Sequence, residues 1–141
     1  MTDSTIQSPI REDMVALEAE STLSFEEAVT RAREALAAEG FGVLTEIDIQ
    51  ATLNKKLGVE RDPYVILGAC HPPSANKAIN AVPAVGVFLP CNVTVSIEEG
   101  KTMVRAMNPQ PVMEMLDNPD LTEVGRDVRR ALLRVVEAVA G

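Results

Sequence analysis

The chain has 141 residues, 46% of them hydrophobic and 24% charged, which is one domain's worth of sequence in the ordinary globular range. Its net charge of −8 excludes nucleic acid as a partner, because neutralising phosphates takes clustered Lys and Arg. No run of about 18 apolar residues is present to cross a membrane, and two cysteines are too few for a disulfide scaffold.

Met1 to Ile10 is polar and shows no basic stretch followed by an apolar one, so a secretory signal is not expected and the cytoplasm is the expected compartment. Residues 1–12 read as a disordered lead and 13–141 as a single domain. Val15, Leu17 and Ala19 alternate with Met14, Ala16 and Glu18, a period-two signal for a first strand. Ser24 with Glu27 forms a capping box, Phe25, Ala28, Val29, Ala32 and Leu36 make an apolar stripe, and Gly40 ends it, which predicts a helix over 25–39. Phe41, Val43, Ile47 and Ile49 then predict a half-buried strand. Leu53 and Leu57, stopping at Gly58, give a short helix from residue 50.

Tyr64 to Cys70 is an apolar run of strand length, closed by His71-Pro72-Pro73, and residues 74–80 follow as a short helix. From Gly86 to Glu98 the odd positions are Val87, Leu89, Cys91, Val93, Val95 and Ile97, which reads as one long alternating strand. Glu99-Gly100 turns it into a hairpin with residues 102–107. Asn108 caps a short helix that breaks at Asn118-Pro119, and a last amphipathic helix over 122–140, capped by Thr122, closes the chain. The order strand, helix, strand, strand, two hairpin strands, helix predicts an α+β two-layer sandwich with the helices at 25–39 and 122–140 on one face.

Chemistry concentrates at Leu67 to Pro73 and Phe88 to Asn92, where each cysteine neighbours a proline and the single histidine follows Cys70. Cys70 sits before a helix start, where the dipole favours a thiolate, so Cys70 with His71 is the candidate catalytic pair. Cys91 has the apolar parity of its strand unless a bulge at Pro90 turns it outward. Cys70, His71 and Cys91 are a soft donor set that suits Zn or Cu. Asn92 and the period-two carboxylates Glu46 and Asp48 are further candidates for a ligand pocket. The methionines at 103, 107, 113 and 115 cross several elements and read as packing.

The strings Leu23-Ser24-Phe25-Glu26-Glu27-Ala28, Gly40 to Asp48, Leu57-Gly58-Val59, Leu67 to Pro72 and Leu89 to Val93 occur in order at short spacing, and together they resemble the DUF302 family of small bacterial and archaeal proteins. The resemblance covers nearly all of residues 13–140. It implies a β-α-β-β-β-β-α sandwich similar to half of the TATA-binding-protein fold, assembled as a homodimer, and it brings no assigned function. DNA binding does not travel with that fold. His71 departs from the Asn the family commonly has after the first cysteine. The function expected is binding of a small ligand or metal at a cysteine-containing pocket. The alternatives are a thiol-dependent redox or nucleophilic enzyme and a structural or protein-interaction module; no cofactor is indicated.

Overall fold

The computed structural model describes residues 10–141. Strands β1 (Arg11–Glu12), β2 (Ala16–Ser21), β3 (Gly42–Asp48), β4 (Tyr64–Cys70), β5 (Cys91–Glu98) and β6 (Lys101–Met107) form one antiparallel sheet in the order β1-β2-β6-β5-β4-β3. Helices α1 (Phe25–Ala38) and α5 (Pro119–Ala140) pack on it, joined by the shorter α2 (Ile49–Leu57), α3 (Pro72–Ala81) and α4 (Pro109–Met115) and a 3-10 turn over Pro83–Phe88. The α+β sandwich expected from the element order is therefore the architecture. No helix among the described residues is long and apolar enough to cross a membrane.

Strand alternation supplies the core. Leu17 lies opposite Ala106, Ala106 opposite Val93 and Val93 opposite Leu67, and all four are fully buried. From above, α1 adds Ala28, Ala32 and Leu36 at i, i+4 and i+8, while α5 adds Leu121, Val128, Leu132, Val135 and Val139. The capping box predicted for α1 is complete: the Ser24 hydroxyl accepts from the Glu27 amide at 3.2 Å and the Glu27 carboxylate from the Ser24 amide at 3.1 Å.

Four expectations need correction. Arg11 and Glu12, read as part of a disordered lead, pair with Glu18 and Leu17; residues 1–9 of that lead lie outside the described residues. The strand expected from Gly86 begins only at Cys91, because the chain first winds through the 3-10 turn and leaves Val87 83% exposed. Pro90, which has no N–H to give a ladder, stands before the strand and not inside it. The last helix starts at Pro119, three residues early: Asn118 Oδ1 accepts from the Asp120 and Leu121 amides, and a proline at the first helical position loses no hydrogen bond. Thr122 is thus an interior residue whose hydroxyl donates to the Asn118 carbonyl.

The fourth correction concerns β3. A bulge between Val43 and Thr45 shifts the register, so Val43 lies opposite Ala69 and Ile47 opposite Ile66, which places them on opposite faces. Ile47 is left 43% exposed, and β3 is the outermost strand of its edge.

On the sheet face opposite the helices, Arg105 donates to Glu18 at 2.8 Å and to Glu98 at 3.0 Å. Its guanidinium holds the Glu98 carboxyl down at about 2, helped by the Ser96 hydroxyl. A carboxyl depressed from an ordinary 4.5 stabilises the fold fully above that value, and the contribution is lost as pH falls toward 2. Glu98→Gln is expected to flatten this part of the acid limb. Urea unfolding at intervals from pH 5 to pH 2 checks it: stability should fall less steeply in the variant than in the wild type, and identical slopes would remove the assignment. In the core, Leu67→Ala should cost about 2–5 kcal/mol in the same assay at neutral pH.

Candidate functional site

Strands β4 and β5 run antiparallel, so the end of one meets the start of the other and Ala69 lies opposite Cys91. Just beyond that point the sheet is flanked by small side chains, Ala75 and Ala78 of α3, which leave space that α5 does not fill. The result is a cavity of about 360 Å³, bounded by Ala69, Cys70 and Cys91 of the sheet, Phe41, α3, Leu89 and Pro90, Met113 of α4, and Val124 and Val128 of α5. Its walls are almost wholly apolar. Leu44 and Ile79, 65% and 43% exposed, stand at its boundary with solvent.

Three of the six residues singled out from sequence border this cavity. Cys91 is buried, as strand parity predicted, and no bulge turns it outward. Burial pushes its thiol up to about 11, with the neighbouring Cys70 charge adding to the shift. Cys70 is half-buried, and both thiols are free. His71 is the N-cap of α3: its Nδ1 accepts from the Ser74 amide at 3.4 Å and lies 2.8 Å from the Ser74 hydroxyl. Its ring packs on Phe41, centroid to centroid 5.3 Å. Across Phe41, His71, Ser74 and Val128 the cavity adjoins a smaller vestibule of about 200 Å³, which Glu39, Asp127 and Arg134 also line.

The other three candidates serve elsewhere. Asn92 lies opposite Gly68 on the far face of the sheet and is exposed. Glu46 is ion-paired with Arg33 of α1. Asp48 caps α2, accepting from the Ala51 amide at 2.9 Å. Glu46 and Asp48 therefore each have a separate partner. Cys70, His71 and Cys91 do not converge as ligands: among the described residues no three His, Cys, Asp or Glu groups are placed to hold a metal ion, and Nδ1 of His71 is already engaged.

What sequence reasoning missed is the wall itself. Phe41, Ala78, Met113 and Val128 come from four separate segments, and each reads in the sequence only as an apolar residue of its own element. Periodicity says that such residues face inward; it does not say that their side chains fail to meet.

A family model described as "Domain of unknown function DUF302" matches residues 17–139. Among solved structures, the crystal structure of an uncharacterised conserved DUF302 protein from Bacillus stearothermophilus is similar with a TM-score of 0.82 and 31% identity, over 89% of this chain and 98% of that one. No curated protein matches.

The two thiols should separate in a labelling experiment. With its thiol at about 11, Cys91 is on the order of one part in a thousand thiolate at pH 8, and it is shielded as well. Iodoacetamide at that pH is expected to modify native protein once, at Cys70, and to modify Cys91 only after denaturation or near pH 11. Intact mass measured over time on wild type, Cys70→Ser and Cys91→Ser checks this; fast labelling of native Cys70→Ser would contradict the burial argument.

Proposed function

The chain belongs to the DUF302 family, and we propose that its domain binds a small apolar molecule in the cavity beside Cys70, His71 and Cys91. The observation that carries the reading is the cavity: about 360 Å³ falls within the range of small-molecule sites, which are largely apolar with a few polar groups at one end. What sets it apart is its lining, which is almost wholly apolar, as in small-molecule sites. An apolar lining favours apolar guests, whose binding removes apolar surface from water.

The thiol-enzyme reading has less behind it. Nucleophilic cysteines need an electropositive surrounding that favours thiolate, whereas burial drives Cys91 the other way. His71 directs Nδ1 to Ser74 and not to Cys70. The two free thiols fit a reducing, cytoplasmic compartment.

A specific observation also favours a homodimer. Among the described residues strand β3 has an unpaired outer edge seven residues long with Leu44 and Ile47 exposed, and an exposed apolar edge is a template for another strand. Two copies of one strand pair antiparallel about a two-fold axis with their hydrogen bonds mutually satisfied. Among the described residues the opposite edge strand, β1, is two charged residues long.

The cavity reading predicts saturable one-to-one binding of the uncharged dye N-phenyl-1-naphthylamine, seen as fluorescence enhancement. Ala78→Phe, which fills the space, should weaken it at least ten-fold, and Ile79→Trp at the partly exposed boundary is a second obstruction that does not disturb the core. Absence of saturable binding, or affinity indifferent to both changes, would sink the reading. For the dimer, light scattering on wild type should give twice the 15.2 kDa chain mass. Leu44→Lys with Ile47→Lys should give a folded monomer, and a monomeric wild type at high concentration would refute the pairing.

A further inference from the structure

For a cavity that binds a small molecule, the run of its apolar surface narrows the class of guest. The floor crosses three adjacent strands, from the buried Cys91 of β5 through Ala69 and Cys70 of β4 to Leu44 of the edge strand β3. Neighbouring strands lie about 4.8 Å apart, so the floor extends roughly 10 Å from the interior to the sheet edge. It ends on side chains that water reaches, since Leu44 and Ile79 of α3 both line the cavity and are both exposed. Among the described residues none of the lining side chains is charged.

The bulge in β3 accounts for the position of Leu44. Val43 lies opposite Ala69 and Thr45 opposite Gly68, so Leu44 is the extra residue, without a partner in the ladder. Glycine at 68 permits this register, because a Cβ there would collide with the Thr45 hydroxyl. Regular alternation from Val43 would turn Leu44 to the other face of the sheet; instead it borders the cavity. A guest held wholly inside leaves the two exposed rim side chains in water. One long enough to reach them removes apolar surface from water on both partners.

We propose, building on small-molecule binding in this cavity, that the guest is an unbranched apolar chain that lies along this floor and leaves between Leu44 and Ile79, with any polar end in solvent.

The test uses two uncharged chains of different length on the full-length protein: hexan-1-ol, which the cavity holds inside, and decan-1-ol, which reaches the rim. Leu44→Ser and Ile79→Ser each remove one apolar rim side chain. Ile47→Ser is the control, because Ile47 shares the exposed edge with Leu44 but does not line the cavity. All three side chains are exposed, so each variant should keep the wild-type thermal midpoint. Titration calorimetry on the wild type is expected to show decan-1-ol binding more tightly than hexan-1-ol, since each methylene taken out of water adds about four-fold. Each rim variant should weaken decan-1-ol about five-fold and leave hexan-1-ol unchanged, with Ile47→Ser altering neither. Decan-1-ol indifferent to either rim change would overturn the proposal, as would equal loss for both alcohols or the same loss in Ile47→Ser. In each of these cases the cavity reading survives. If neither alcohol binds the wild type, the cavity reading falls and the proposal with it.

Discussion

The fold depends above all on the burial of one face of the sheet beneath α5. That helix touches β2, β6, α1, α3 and α4, and nine of its twenty-two residues are buried, so it is the surface on which the other elements are assembled. Gly125 shows how close the assembly is. A Cβ at that position would lie 2.9 Å from Cβ of Met113, so only glycine lets α4 lie against α5 as it does. Strands β1 and β2 are tied to the same helix, since Ser21 donates to the Val139 carbonyl and Glu12 pairs with Arg129.

The same stretch of α5 that packs closely on α4 also borders the opening. Around Val124 and Val128 the neighbours are Ala69, Ala75 and Ala78, whose side chains are too short to span the distance fixed by the helix and the sheet. Collapse would ordinarily close such a gap, because side chains facing a void lose their dispersion partners. Here the bounding helices are held at their ends by hydrogen bonds that do not yield to local packing: His71 caps α3, Asn108 caps α4 and Asn118 caps α5. A rigid frame lined by small residues leaves a cavity where a flexible one would lose it.

The features legible in the sequence were those encoded within a few residues. Ser24 and Glu27 sit three apart and declare a helix start; Glu99-Gly100 declares a hairpin, and both take positive φ. The apolar repeat of α5 and the parity of Cys91 are of the same kind. What escaped depended on contacts distant in sequence. The bulge at Val43–Thr45 is a matter of register against β4, and nothing in Gly42 to Asp48 distinguishes a strand that slips by one residue from one that does not. Asn118-Pro119 was ambiguous for a different reason: the same pair ends one helix or begins the next, and the choice fell to the buried Leu121 and Val124 that α5 supplies to the core. Glu46 and Asp48 looked like a pair because strand period was the only information available. Arg33 and the start of α2 claimed them separately.

The cysteines with which any chemical reading of this chain begins are therefore governed by the cavity more than by each other. An environment that welcomes an apolar guest also penalises a thiolate, for the same reason: low polarity disfavours charge. Cys91, buried and pushed up to about 11, behaves as wall. Cys70 lies between the wall and solvent, and the histidine beside it has spent Nδ1 on starting a helix. Besides the thiols, His71 and Ser74 are the polar side chains on the cavity lining. An apolar lining of this kind favours hydrophobic fit over charge in whatever it holds.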